Sequence, residues 1–118
     1  MFQAGNIRDW RRHDVVDADG NRIGEMEAVY VDTASDEPAF VTVVVGLPTR
    51  RRLAFVPLTG ATVGPGELRV TVSKRQVKDA PSIDMDGELP ARDEEAVFAH
   101  YGLPYQVGGG GERRLARR

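Results

Sequence analysis

One acidic segment of the sequence has residue types that could bind a metal ion: Asp17-Ala18-Asp19-Gly20-Asn21. It looks like the opening of a calcium loop, but an EF-hand needs Gly at its sixth position and Glu at its twelfth, where this chain has Arg22 and Ala28. Asp19-Gly20 is typical of a hairpin turn, because Gly accepts a positive φ at no steric cost. We therefore interpret the segment as a turn between two strands, with an ion site as the alternative.

The remaining residues that could carry chemistry are scattered. The chain has no cysteine, and its two histidines, His13 and His100, are far apart in the sequence. A structural metal site needs about four ligands, usually with Cys or paired His at short spacing. Asp84, Asp86 and Glu88 alternate in a segment that is typical of a solvated polar loop. The sequence therefore predicts a non-enzymatic protein with no catalytic residues, no cofactor and no metal.

Charge is distributed unevenly. The chain carries a net charge of −2, but residues 108–118 contain four Arg and one Glu, a net +3, which leaves −5 on the rest. An acidic body is a poor general binder of nucleic acid, because neutralising phosphates requires clustered Lys and Arg. Two basic clusters are nevertheless candidate contacts for a partner. They are Arg50, Arg51 and Arg52 at a strand entry, and Arg113, Arg114, Arg117 and Arg118 in the tail.

Each of these candidates has a simpler interpretation. The arginines at 50–52 could be a charged turn that keeps an edge strand soluble. Trp10 is the single tryptophan, and such a residue packs across a barrel mouth more often than it stacks on a ligand. For residues 112–118 we favour a disordered, solubilising end over a docking peptide.

Short strands dominate the first two thirds of the chain. Alternating or valine-rich segments separated by Gly- and Pro-containing turns predict strands at about 13–16, 23–32, 40–45, 52–58 and 68–72. Gly24 indicates a bulge or a tight bend in the second of them. Residues 74–78 fit a single helical turn before Pro81.

A helix is predicted from Ala91 to Tyr101, with acidic residues in its first turn and Gly102 just past its end. Val97, Phe98 and Tyr101 share one face of it. We expect this face to cover part of the barrel or a second subunit, and the three residues are candidate partner contacts. Gly108 to Gly111 reads as a flexible linker to the basic tail.

The order of these segments resembles a known family. The stretch Val16 to Gly24 has the form Val-Asp-x-Asp-Gly-x-x-Ile-Gly, and a valine-rich strand, the segment Val56-Pro57-Leu58 and a last strand leading to Ala80-Pro81 follow it. Together they resemble the PRC-barrel domain over residues 10–81. The resemblance implies a small, mainly β barrel of about six short antiparallel strands with a C-terminal α-helix. It also implies an adaptor role without catalytic residues.

We therefore expect three regions: a PRC-barrel-like domain at 1–81, a connector and helix at 82–107, and a Gly-rich linker with a basic tail at 108–118. The barrel is expected to be a closed, side-chain-filled cylinder with no room for a ligand. The following residues are expected in its core: Val15, Ile23, Val29, Val31, Val41, Val43, Phe55, Val56, Leu68, Val70 and Val72.

The predicted function is a non-enzymatic interaction module that binds a protein partner or itself, with a homodimer expected. The alternative is an RNA- or ribosome-associated maturation factor that uses Arg50–Arg52 and the basic tail. The sequence has no apolar stretch long enough to cross a bilayer and no signal-peptide pattern, so we expect a cytoplasmic, bacterial protein without membrane contact.

Overall fold

A computed structural model describes residues 12–105 and 114–118 of the chain. Within these ranges it has eight strands, two α-helices and one 3₁₀ turn at Ala91–Asp93. The strands are β1 (Asp14–Val16), β2 (Arg22–Asp32), β3 (Glu37–Val45), β4 (Arg52–Pro57), β5 (Thr62–Gly64), β6 (Glu67–Arg69), β7 (Ser82–Asp84) and β8 (Leu115–Arg117). The helices are α1 (Lys74–Lys78) and α2 (Glu94–His100).

The strands form one sheet in the order β5-β6-β1-β2-β3-β4-β7, and β8 pairs with β2 beside this path. The predicted mainly β fold with a C-terminal helix is confirmed. The expected number of about six antiparallel strands is corrected to eight in the described part of the chain, and β1 pairs with β6 in parallel. Strands β5, β7 and β8 have three residues each, which is too few to show an alternating pattern in a sequence.

Strand β2 is the longest and pairs with three others: β1, β3 and β8. Its pairing with β3 shifts register between Met26 and Ala28 and again between Tyr30 and Val31. These irregularities explain why its apolar residues do not alternate cleanly in the sequence. At Gly24 the neighbouring strand comes so close that a Cβ atom would lie 2.1 Å from the carbonyl oxygen of Val44.

Two apolar clusters lie on the two faces of this sheet. The inner cluster contains Val15, Ile23, Met26, Val29, Val41, Val43, Ala54, Val56, Leu58, Leu68, Val70 and Val77. All of the predicted core residues are buried except Val72, which is partly buried against the inner cluster. Phe55, however, points to the opposite face.

The outer cluster covers the other face of β2, β3 and β4. It contains Ala28, Tyr30, Phe40, Leu53, Phe55, Ile83, Leu89, Val97, Phe98 and Leu115. Residues of β7, α2 and β8 thus pack on the outer face of these strands, which would otherwise be exposed to solvent. Because both faces are covered, β4 reads as a continuous run of buried residues from Leu53 to Pro57.

The apolar face of α2 belongs to this outer cluster. Val97 is fully buried, Phe98 is 7% exposed, and its ring lies edge-on to Phe40 at a centroid distance of 5.1 Å. The hydroxyl of Tyr101 donates a hydrogen bond to the carbonyl oxygen of Phe55 at 2.6 Å. Of the two predicted roles for this face, the structure shows the cover of the barrel: Val97 and Phe98 are buried there, and Tyr101 is half-buried.

The chain end is tied down by a buried carboxylate. Glu94, 1% exposed, accepts hydrogen bonds from the backbone N–H groups of Arg114 (2.8 Å) and Leu115 (3.0 Å) and from the hydroxyl of Tyr105 (2.9 Å). Strand β8 then pairs with β2. The expectation of a disordered end is therefore wrong for residues 114–118, because Leu115 fills a site in the outer cluster.

Replacing Gly24 with Ala is expected to destabilise the fold by roughly 2–3 kcal/mol, since the added methyl group meets the backbone of β3, which cannot move without breaking the sheet. Urea denaturation measures this. Gly64→Ala is the matched control: the nearest atom to its new methyl group is 4.0 Å away, and the change is expected to stay within about 0.5 kcal/mol. Equal effects of the two substitutions would contradict the close approach.

Leu115→Ala is expected to lower the free energy of unfolding by about 2–4 kcal/mol, as for other buried leucines whose removal leaves a cavity. The control is Leu47→Ala, because Leu47 is 68% exposed and its change is expected to stay within about 0.5 kcal/mol. If Leu115→Ala were as mild as the control, the chain end would not be part of the folded core.

A groove at one end of the barrel

A concave surface of the described chain lies where several strands begin or end. The hairpin Asp17–Asn21 joins β1 to β2, β3 ends at Val45, and β4 begins at Arg52, so these points share one end of the barrel. Helix α1 lies across this end. Its one buried residue, Val77, joins the inner cluster and holds the helix against the strands.

Between α1 and the strand ends is a half-open groove of about 950 Å³. Its floor is apolar and consists of Ile23, Val45, Ala54 and Val77. The rest of its wall is formed by Asp17, Asp19, Asn21, Gly46, Arg52, Ser73, Lys74, Arg75, Lys78, Ala80 and Ser82. The expectation of a cylinder with no room for a ligand is therefore corrected. The barrel interior is filled by side chains, but α1 leaves a cavity at the barrel end.

Asp17 holds the hairpin and α1 together at this groove. Its Oδ1 accepts hydrogen bonds from the backbone N–H groups of Asp19 (3.0 Å) and Asn21 (2.9 Å). Its Oδ2 accepts from the backbone N–H of Lys74 (3.0 Å) and from Asn21 Nδ2 (3.3 Å). The Lys74 hydrogen bond is the largest influence on the pKa of Asp17, and together with the others it outweighs desolvation and lowers that pKa below its usual value.

These contacts make Asp17 a structural residue. Both of its oxygens are used by donors of the chain, and Gly20 adopts a φ of 87° in the turn as a hairpin requires. The predicted turn between two strands is therefore what the structure shows. Among the described residues there is no group of three or more His, Cys, Asp or Glu side chains placed to hold a metal ion.

The predicted basic cluster at 50–52 divides into two parts. Arg52 lines the groove, donates from Nε to Ser82 Oγ at 2.7 Å and lies 3.7 Å from a carboxylate oxygen of Asp84. Arg50 and Arg51 are exposed, and neither forms an ion pair with any residue that the structure describes. This cluster therefore reaches the groove through Arg52.

The tail arginines are placed elsewhere and are paired. Arg114 donates to both carboxylate oxygens of Asp32, at 3.1 and 2.6 Å. Burial raises the pKa of Asp32, but the hydrogen bond and charge of Arg114, together with the backbone N–H groups of Ala34 and Ser35, outweigh burial, so the net pKa is lowered. Arg117 pairs with Glu27, and Arg118 lies 3.3 Å from a carboxylate oxygen of Asp36. Two further candidates, Trp10 and Arg113, lie outside the described residues.

The histidines are not brought together. His100 Nε2 lies 2.7 Å from the carbonyl oxygen of Gln76, so the end of α2 is linked to α1. His13 comes just before β1, and neither residue lines the groove.

Sequence analysis missed the basic side of the groove. Lys74, Arg75 and Lys78 lie on or beside one turn of α1, which the sequence analysis identified as helical without assigning it a role. The sequence does show that Lys74 and Lys78 are one helical turn apart, so that they share a face of the helix. It does not show that this helix lies beside the strand ends, where its basic residues line the groove.

The fold defines the class of protein: a small β-barrel module with a groove at one end. The family model described as PRC-barrel domain matches residues 4–77 of the chain. The chain therefore belongs to the PRC-barrel domain family, and the resemblance predicted from its segments is confirmed. A search of the curated proteins found no match.

No helix among the described residues combines the length and the apolar composition that a membrane-spanning helix needs.

Asp17→Asn is expected to lower the melting temperature at pH 7. Both carboxylate oxygens of Asp17 accept hydrogen bonds from N–H groups, and the amide nitrogen that replaces one of them cannot accept. The folded-state pKa of Asp17 is below its unfolded value, so its contribution is present above about pH 4 and is lost as the pH falls further. The deficit of the variant against the unsubstituted chain should therefore shrink at pH 3.

Calorimetry at pH 7 and pH 3 tests this, with Asp19→Asn as the control. Asp19 lies in the same turn, but it donates to Asp17 through its backbone N–H, which the substitution keeps. Its variant should therefore have the same melting temperature as the unsubstituted chain at both pH values. A deficit for Asp17→Asn that stays constant with pH would contradict the role given to its charge.

Proposed function

We propose that this chain is a non-enzymatic interaction module that binds a protein partner in the groove between α1 and the strand ends. The observation that carries the proposal is the groove itself: a half-open cavity of about 950 Å³ with an apolar floor and a charged rim. Clefts of this size, with an apolar lining and a few polar groups, are where proteins usually bind other molecules. Membership of a family whose domains are often protein-interaction modules supports a protein as the partner.

The polar groups around the groove support binding over catalysis. Asp17 is held by hydrogen bonds to the chain, Ser73 Oγ accepts from the backbone N–H of Gln76 at 3.0 Å, and Ser82 Oγ accepts from Arg52. Both hydroxyl oxygens thus accept hydrogen bonds from the chain itself, which favours a structural role for them over nucleophilic catalysis. A non-enzymatic role therefore remains our proposal.

The alternative RNA-associated role draws less support from these contacts. It relied on the tail and on Arg50–Arg52, but Arg114, Arg117 and Arg118 are neutralised by Asp32, Glu27 and Asp36. Paired guanidinium groups release fewer counterions on binding a phosphate backbone.

Self-association loses its original basis as well. The predicted homodimer used the apolar face of α2, which packs on the barrel of the same chain. The proposal therefore rests on the groove and on membership of the family. A cytoplasmic location and a bacterial origin stay predictions from the sequence.

Site-specific photo-crosslinking in the native cell tests the groove. A benzophenone amino acid at Lys78, on the exposed rim, is expected to crosslink to one protein species. The same group at Ala34, exposed in the turn between β2 and β3 at the opposite barrel end, should not yield that species. Ala80→Trp, which places an indole in the groove, is expected to abolish the product at Lys78 without unfolding the chain.

Three results would count against the proposal. These are no product at Lys78, the same product at Ala34, or a product that survives Ala80→Trp. A product that ribonuclease digests would support the RNA-associated role instead.

A further inference from the structure

The rim of the groove is positively charged, although the chain as a whole is acidic. Arg52, Lys74, Arg75 and Lys78 line the groove, against two carboxylates, Asp17 and Asp19. This leaves a net +2 at the rim, whereas the whole chain has a net charge of −2. A local positive potential on an acidic protein indicates selection of an acidic partner.

The cations of α1 are available to a partner. Within residues 12–105 and 114–118, Lys74, Arg75 and Lys78 form no salt bridge, and all three are exposed. Asp17 is buried and directs its oxygens to backbone donors and to Asn21, so it forms no salt bridge with these three side chains. Arg50 and Arg51 add two exposed cations close to Arg52 in the chain.

The floor of the groove restricts the chemistry of the occupant. Ile23, Val45, Ala54 and Val77 are aliphatic, and among the described residues the lining contains no aromatic ring on which a nucleobase could stack. A nucleic-acid backbone would satisfy the cations but would make no use of the aliphatic floor. An aliphatic side chain flanked by carboxylates satisfies both.

We infer that the groove binds a short acidic segment of a partner protein, with one aliphatic side chain on the floor and Asp or Glu side chains at Lys74, Arg75 and Lys78. This inference rests on the proposed function and specifies the partner's chemistry. The cavity has room for a few residues of such a segment. The cations act at the solvent-exposed rim, so they contribute selectivity and association rate, and the apolar contact contributes most of the affinity.

Selection from a random peptide display library on the full chain tests this chemistry without assuming a partner. The enriched peptides are expected to carry Asp or Glu beside Leu, Ile or Val. A synthetic copy of the most enriched peptide should then bind about fivefold more weakly to Lys78→Glu than to the unsubstituted chain. Its affinity should also fall as sodium chloride is raised.

Arg92→Glu is the matched control. Arg92 is an exposed cation in the 3₁₀ turn before α2 and is not part of the groove lining, so the same change of charge there should leave peptide affinity unchanged. Equal weakening by both variants would show a general charge effect and overturn the inference.

The acidic-segment inference and the proposed function can fail separately. Enriched peptides that are basic or lack a charge bias, or no enrichment at all, would overturn the acidic-segment inference. If a protein still crosslinked at Lys78 in the cell, binding in the groove would survive that result. If Lys78 gave no crosslinked protein, or only the protein that also crosslinks at Ala34, the proposed function itself would be wrong. A peptide that binds equally well to Ala80→Trp would place the acidic segment outside the groove and overturn the inference.

Discussion

Burial on both faces of β2, β3 and β4 is the constraint on which the rest of this structure depends. A three-strand surface with Phe40, Leu53 and Phe55 on its outer side cannot be left in water without a large loss of hydrophobic stabilisation. The chain covers it with β7, α2 and β8. The composition of the helix face and of the tail is also that of a partner surface. In this structure both pack against the barrel of the same chain, because they cover its outer face.

Glu94 makes that cover specific. A buried carboxylate is costly unless its oxygens are satisfied, and here backbone donors of Arg114 and Leu115 and the hydroxyl of Tyr105 satisfy them. The chain end is thereby placed in register beside β2, with Arg114 on Asp32. At the end of the inner face, α1 is the one element that the described residues place there. It is anchored by Val77 and by the hydrogen bond from Lys74 to Asp17, and the groove is the space between it and the strand ends.

Much of the fold could be predicted from sequence, and most of the site could not. Local patterns such as the Asp19-Gly20 turn, the valines of β3 and the helical turn at α1 are set by neighbouring residues, so they were visible. The roles of Glu94, Leu115 and Lys78 depend on contacts between segments distant in the chain. No short-range pattern distinguishes Glu94 from its neighbour Glu95, yet Glu94 is buried and Glu95 is exposed.

We expect binding to occur at the inner end of the barrel and to leave the outer face unchanged. Methyl NMR spectra of the full chain, titrated with the display-selected peptide, distinguish the two faces. The methyl signals of Ile23, Val45 and Val77 should shift, while those of Val97 and Leu115 should not. Shifts confined to Val97 and Leu115 would place the contact on the outer face and show that the groove is not the binding site.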